Sequence, residues 1–441
     1  MAKVKLTAQN LLYQICASIC QFIIMVSVAR SISIADNGIY VMGVLISNTL
    51  TNIMVLGLNS ANIYFVNLNI ISAKQALYSN MKYWIFVIVF LGPFLFGIYL
   101  CFGRLFFPGI SFEIYFCSML LFIFTLAKTL MLSIFQAISR FDLFNKYFIL
   151  NVFVQLILIL GLITLNSITP INALVAMSFT TLALVVIIFT HMFKLLECKS
   201  FLHRDLSKSI LKMFFSYGLK SHLSNVVAFM MSRTDVYMLN YFINPSASAI
   251  YMVAILFVER IGMVSQSLAT ILFPEIASLN SDKNKQYLLI CQAFRLNMVI
   301  TFVLSVAASS LIYPAVLYIF GKEYLSSVTI FIILVAGVFL KSGSRILSIS
   351  ISALGRPEIN FYTALFAIIT NIILNLLFIP NYGICGAAYA TSISFCVNFI
   401  IRIWVMQSSI FGVPLKLMFP KKDDLVSIYK YIFQIRAKLI G

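Results

Sequence analysis

The chain has 441 residues, of which 62% are hydrophobic and only 10% charged, with a mean hydropathy of +1.02. A soluble fold of this length needs far more polar residues to cover its surface, so the soluble enzymes and scaffolds are excluded. The formal charge of +18 then reads as membrane topology, with no nucleic-acid partner implied.

A bilayer span takes roughly 20 mostly apolar residues. The sequence predicts about twelve, at 8–29, 38–66, 81–102, 114–138, 147–165, 171–193, 214–242, 248–273, 294–319, 324–354, 360–379 and 384–411. The expected class is an all-α membrane protein. The first span is expected to stay uncleaved and not to act as a signal peptide, because Gln14, Ser18 and Gln21 interrupt its apolar run and it continues to Arg30. With the N-terminus inside, 22 of the 31 basic residues fall on inner segments, and only Arg30, Arg104 and Lys322 on outer loops. Positive charge collects on the cytoplasmic side of membrane proteins, so both termini are placed in the cytoplasm.

Taken in chain order, the polar residues inside the spans form stripes. Span one carries Asn10, Gln14, Ser18 and Gln21, and span two carries Asn48, Asn52 and Asn59. Span four holds Lys128. Asn151 and Gln155 in span five are four apart, as are Asn371 and Asn375 in span eleven. Residues three or four apart share a helix face. The bland reading of these amides is interhelical hydrogen bonding, worth about 0.6 kcal/mol each. As a set they also suit a wet cavity that binds sugar hydroxyls, since an amide both donates and accepts.

Residues 194–213 form the longest inner connection, rich in Lys and Arg, and separate a six-span bundle at 1–193 from a second at 214–411. Three matched pairs suggest that the halves are repeats. Phe102-Gly103-Arg104 resembles Phe320-Gly321-Lys322, Ile39-Tyr40 resembles Ile250-Tyr251, and Arg140 with Asp142 resembles Arg356 with Glu358. Six-span parallel repeats imply two pseudo-symmetric six-helix bundles around a central cavity, with the binding site between them.

The second half holds most of the intramembrane charge. Arg233 and Asp235 lie in span seven, Glu259 and Arg260 in span eight, and Lys341 and Arg345 in span ten, the last two continuing into Ser348 and Ser352. Asp235 and Glu259 read either as structural partners of these cations or as ion-coupling carboxylates. With Lys128 the cations still outnumber the anions, and unpaired positive charge in a membrane needs water, carbonyls or an anionic ligand. An anionic substrate is therefore favoured, with Lys341, Arg345, Arg260, Lys128 and Arg233 as its candidate ligands and Asn48 and Asn52 on the sugar.

Other chemistries lack their residues. No GxxxxGK[ST] loop supplies ATP hydrolysis, and the eight cysteines show no metal spacing. Of these, Cys101, Cys117 and Cys385 fall nearest the outer side, where one disulfide is conceivable. His191, His203 and His222 have no metal-site spacing either, so no cofactor is expected. The tail at 412–441 sets Asp423 and Asp424 before Leu425, Ile428, Ile432, Ile435 and Leu439. That pattern fits a basic amphipathic helix on the inner leaflet.

Several motifs carry a family resemblance: Ala353-Leu354-Gly355-Arg356-Pro357, Asn371-Ile372-Ile373-Leu374-Asn375, and Ile379-Pro380-Asn381-Tyr382-Gly383-Ile384-Cys385-Gly386-Ala387-Ala388. Arg233-Thr234-Asp235 and Phe273-Pro274-Glu275-Ile276 add to it. Together they resemble the polysaccharide exporters, the O-antigen-type lipid-linked oligosaccharide flippases of the multidrug/oligosaccharidyl-lipid/polysaccharide superfamily. The resemblance implies two bundles working by alternating access and no catalysis. It also implies an undecaprenyl-pyrophosphate-linked oligosaccharide as cargo, membrane lipids around the chain, and a polysaccharide polymerase and chain-length regulator as partners. Two alternatives stay open here. A drug–cation antiporter of the same superfamily predicts an acidic cavity. A membrane glycosyltransferase or polymerase predicts a large outer loop with catalytic carboxylates or arginines.

The charge asymmetry makes one direct prediction. Reporter fusions after Asn166, Asn244 and Asn381 read as external, and fusions after Lys74, Arg204 and Lys283 as cytoplasmic. A reversed pattern overturns the orientation.

Overall fold

Inside hydrocarbon a backbone must satisfy its own N–H and C=O groups, and a helix does so within one segment. The computed structural model describes residues 2–197, 222–223, 225–279, 282–408 and 411–414, and among these the regular structure is helical, with no strand. The basic connection at 198–213 and the amphipathic tail helix predicted beyond residue 414 lie outside the described residues, as do Cys198 and His203. Among the described residues no disulfide joins the other seven cysteines, Cys101, Cys117 and Cys385 included.

The chain divides into two units, Met1–Phe229 with Ile243–Ala249, and Met230–Phe242 with Ile250–Gly441. In the first unit α1 spans Ala2–Ser31, α2 Ile34–Met54 and α3 Leu58–Asn67. The helices α2 and α3 are the predicted second span, broken by a 43° bend. Leu56 and Gly57 both take positive φ there, at 46° and 70°, which ends α2 and frees its last carbonyls. Those carbonyls are met from elsewhere: the Tyr83 hydroxyl donates to Met54 O at 2.5 Å, and His222 Nε2 lies 2.9 Å from Ile53 O. The third span runs through α4 (Ala73–Phe86), a π turn at Val87–Leu91 and α5 (Gly92–Phe106). Phe90, Phe94 and Leu100 on it are more than 60% exposed, as lipid-facing residues are. Helices α6 (Phe112–Ala137), α7 (Phe141–Thr164) and α8 (Pro170–Leu195) complete the unit. The core joins Leu77, Phe135, Leu143, Tyr147 and Ile188, and the Tyr147 hydroxyl bonds His191 Nδ1 at 2.5 Å.

In the second unit α9 covers Thr234–Phe242, α11 Lys283–Ile319, α12 Ser326–Ala353 and α13 Pro357–Gln407, and α10 runs Pro245–Ser278 from the segment assigned to the first unit. Nine described helices are long and apolar enough to span, ten if α2 and α3 count as one. The predicted count of about twelve is met differently at two places. The predicted spans 360–379 and 384–411 run on as α13, which folds at Gly383 with φ 58° and ψ −136°. Only glycine takes that conformation without strain, so α13 is a helical hairpin of two limbs. The seventh span, predicted at 214–242, lies partly outside the described residues.

The matched residues Arg140 and Arg356 occupy the same local structure. Each is the N-cap of the next helix, α7 or α13, and pairs with the acid two residues on, at 2.9 Å to Asp142 and 3.6 Å to Glu358. Each follows a residue at positive φ, Ser139 or Gly355. Arg140 N bonds Phe135 O at 2.8 Å and Arg356 N bonds Ile351 O at 3.1 Å. These bonds close the preceding helices in the manner of a Schellman turn.

Close packing in the second unit depends on small residues. A Cβ on Gly386 would stand 2.2 Å from Phe378 O, across the α13 hairpin, and one on Gly337 would stand 2.6 Å from Ser392 Cα. Gly386→Ala forces the two limbs apart and is expected to cost about 1–3 kcal/mol. Gly97→Ala, whose Cβ meets nothing within 4 Å, is the control and leaves stability unchanged or raised. Thermal unfolding in detergent compares them; equal midpoints would refute the close-approach argument.

Candidate functional site

The close approach of α12 and α13 sets the geometry of the charged face. Lys341 and Arg345 are four apart on α12 and share one side of it. Below them Gly337 admits Ser392 of α13, whose hydroxyl donates to Ile333 O at 2.8 Å. This seats Phe395, one turn on, under Lys341, with Nζ 4.3 Å from the ring centroid. The ring favours the cation by about 0.5–2 kcal/mol but carries no neutralising charge. The charges that act on Lys341 are those of Arg345, Glu259, Arg233 and Asp235. Glu259 is already taken, with Oε1 3.0 Å from Arg233 Nη2. Arg345 Nη1 donates to the amide oxygen of Gln266 on α10. Among the described residues neither Lys341 nor Arg345 has a carboxylate within ion-pair distance.

Asp235 is held by a separate network. It is 2% exposed, and its Oδ2 accepts from the Tyr251 hydroxyl at 2.5 Å and the Thr391 hydroxyl at 3.1 Å. Its Oδ1 accepts from Val236 N at 3.0 Å. Asn371 Nδ2 donates to Thr391 Oγ1 at 3.2 Å, and Asn375 Nδ2 to Asn371 Oδ1 at 3.0 Å. The hairpin at Gly383 makes this possible, because it lays Thr391 of the second limb against Asn371 of the first. The amide stripe of span eleven therefore ends on a buried carboxylate. Asn375 Oδ1 is buried with no donor among the described residues, so the network offers oxygen acceptors to a proton or a hard cation. No group of three His, Cys, Asp or Glu side chains that could hold a metal ion occurs among the described residues.

The remaining predicted residues lie elsewhere. Arg260 is exposed, with Nη1 3.7 Å from Met263 Sδ. Lys128 lies in the first unit, half-buried on α6. Asn48 and Asn52 are exposed on α2 of that unit, where Asn52 Nδ2 donates to Asn48 O at 2.9 Å within the same helix.

Arg402 is a site residue that the sequence reading passed over. It is 9% exposed on the second limb of α13, and its Nη1 donates to Ser344 O at 3.1 Å and Ser344 Oγ at 2.9 Å. Its Nε donates to Thr363 Oγ1 at 3.2 Å. The signal was present, as a lone charge in Phe399-Ile400-Ile401-Arg402-Ile403-Trp404. Tyr251 and Thr391 had no such signal, being ordinary residues in apolar spans.

In sum of charge, the cations Arg233, Lys341, Arg345 and Arg402 outnumber the anions Asp235 and Glu259 in this part of the second unit.

Known proteins align with this chain at several levels. The family described as lipid II flippase MurJ matches residues 76–431, more than half of the chain. The probable low-salt glycan biosynthesis flippase Agl15 of Haloferax volcanii is 26% identical over 196 residues. That alignment takes in 44% of this chain and 42% of Agl15, so the chain spans less than half the length of that curated relative. Among solved structures, a lipid II flippase MurJ in an inward closed conformation superposes with TM-score 0.71 at 16% identity, covering 96% of this chain and 93% of that one. An inward-facing multidrug resistance MATE family transporter of the MOP superfamily gives 0.66 at 14% identity, covering 90% and 93%. The two superpositions establish a shared fold. With most of its length matched by the family and its fold matched over nearly all of it, the chain belongs to the lipid II flippase MurJ family, a family of flippases and not of catalytic enzymes.

Proposed function

We propose that this protein moves an undecaprenyl-pyrophosphate-linked oligosaccharide of the O-antigen type from the inner to the outer leaflet of the bacterial cytoplasmic membrane. Alternating access carries the head group, both termini face the cytoplasm, and the product passes to a polysaccharide polymerase with its chain-length regulator. The observation that carries this reading is the pair Lys341 and Arg345. They share one face inside a membrane span, with no carboxylate in reach among the described residues. A pyrophosphate supplies the missing negative charge, Arg345 forking two oxygens and Lys341 acting as a point charge. Arg233 stays with Glu259, and Arg260, Lys128, Asn48 and Asn52 serve the sugar and the path. The naming of Agl15 as a glycan biosynthesis flippase supports the cargo class. The multidrug MATE likeness does not favour a drug–cation antiporter, because the cations of the second unit would repel such a cargo.

An inside-negative potential assists outward movement of the anion. Two charges are worth about 4.6 kcal/mol per 100 mV if no protein charge compensates. Asp235 is the coupling residue in this reading, since its carboxylate lies within oxygen acceptors and hydroxyls that can also hold a cation. Glu259 acts only as the partner of Arg233.

Two measurements test the proposal. Complementation by Arg345→Ala fails to export repeat units while membrane abundance stays near normal, and Arg345→Lys restores part of the export because charge survives without the fork. Wild-type export by both Lys341→Ala and Arg345→Ala would sink the cationic site. In proteoliposomes, Asp235→Asn abolishes the response of flipping to an imposed sodium or proton gradient but leaves cargo binding intact. An unchanged gradient response removes Asp235 from coupling.

A further inference from the structure

The geometry points to a site for a monovalent metal cation in the first unit, built from the side-chain oxygens of Asn59, Asn62 and Asn80. It goes beyond the flippase reading and does not rest on it. Asn62 on α3 is 0% exposed and Asn80 on α4 is 2% exposed, and both amides reach the same turn of α6. Asn62 Nδ2 donates to Ser133 Oγ at 2.7 Å, the Ser133 hydroxyl donates to Leu130 O at 2.7 Å, and Asn80 Nδ2 donates to Leu130 O at 3.3 Å. These neighbours fix which end of each amide is which. A carbonyl only accepts, so Asn80 turns its nitrogen to Leu130. Ser133 has spent its hydrogen on the same carbonyl, so Asn62 has to donate as well. The ends left over are oxygens, and neither Asn62 Oδ1 nor Asn80 Oδ1 has a donor among the described residues. Asn59 stands three residues before Asn62 on the same side of α3, and its Oδ1 is also buried without a donor there.

Buried acceptors are costly unless something positive meets them. Free ends that are all oxygens exclude an anion. A single water brings two hydrogens to three oxygens, whereas one metal ion accepts them all. The backbone adds a second, independent sign. Helix α3 starts at a break in its span, where Leu56 and Gly57 take positive φ and the two parts bend by 43°. Broken spans are where transporters coordinate cations with oxygen ligands. The charge of the ion is limited by its surroundings. No Asp or Glu lies on α3 or α4, and α6 carries only Glu113, in its first turn. Neutral oxygens alone do not offset the desolvation of a divalent ion, which grows with the square of the charge. Lys82 and Lys128 stand two residues from Asn80 and Leu130, and so on other sides of their helices. Bound there, the ion ties α3 to α4 and α6 and holds the bent span in place.

The test follows thermal unfolding of the purified full chain in detergent, at fixed ionic strength, while sodium or potassium chloride replaces N-methylglucamine chloride. A ligand of the native state raises the midpoint with the logarithm of its concentration. Asp235→Asn serves as the background, so that no ion held by Asp235 contributes. In that background the midpoint rises with sodium or potassium, and Asn62→Leu abolishes the rise. Asn59→Ala, which removes the least buried of the three oxygens, raises the half-saturating concentration about tenfold. It keeps the test decisive should Asn62→Leu not fold. A midpoint indifferent to the cation overturns the inference and leaves the three amides to water. A rise present in wild type and lost in Asp235→Asn overturns it as well, by assigning the ion to Asp235. So does a rise that Asn62→Leu or Asn59→Ala leaves unchanged. None of these outcomes touches the flippase reading, because no lipid substrate takes part.

Discussion

A charge placed among apolar helices has to be answered, and the second unit answers its charges in three ways. Arg233 is matched by Glu259 at 3.0 Å, carboxylate to guanidinium. Asp235 is matched by hydroxyls and a backbone N–H, with Tyr251 at 2.5 Å and Thr391 at 3.1 Å. Lys341, Arg345 and Arg402 are given an aromatic ring and neutral oxygens. The first two solutions are closed, since opposite charge or several donors satisfy the group. The third is open: it orients the cations but leaves their charge uncancelled. The proposed function fills that remainder with an anion.

The fold serves that arrangement through a few backbone positions. Gly383 turns α13 back on itself, Gly386 lets the limbs touch, and Gly337 brings α12 against the second limb. Larger residues there would separate Asn371 from Thr391 and Lys341 from Phe395. The hydrogen bonds at Asp235 are therefore a consequence of glycine placement more than a hundred residues away in sequence. Small residues perform this work in membranes because no hydrophobic force drives helices together there, and close van der Waals contact replaces it.

The helical spans were legible from hydropathy because length and apolarity are forced by the bilayer. The breaks were less so. Gly383 sits between two predicted spans and marks a turn, whereas the bend at Leu56 and Gly57 interrupts a run that reads as one helix until the caps from Tyr83 and His222 are known. Site residues divide in the same way. Lys341 and Arg345 declared themselves by charge and spacing, and Asn371 and Asn375 by periodicity. Which carboxylate pairs with which cation was not legible. Span seven and span eight each offered one acid and one base, and only the packing sends Glu259 to Arg233 and leaves Asp235 to Tyr251. Thr391 could not be foreseen, since a threonine in a helix usually bonds its own backbone, as Thr51 and Thr370 do here.

A fold shared by lipid flippases and multidrug transporters does not decide the cargo. In the proposed function the sign of the unpaired charge does. A transporter of organic cations needs carboxylates whose partners are displaced by the drug, yet here Glu259 is held by Arg233 and Asp235 is enclosed by hydroxyls. The groups left open are cations. They differ in kind: Lys341 is a point charge over the Phe395 ring, while Arg345 and Arg402 are planar forks held by Gln266, Ser344 and Thr363. Fixed forks favour an anion with paired oxygens at set separation over a single diffuse charge. A flippase must also release what it binds, and a site of neutral-oxygen-held cations allows this. In the proposed function the head group leaves without rebuilding an ion pair of Lys341 or Arg345, since neither has a carboxylate within ion-pair distance among the described residues.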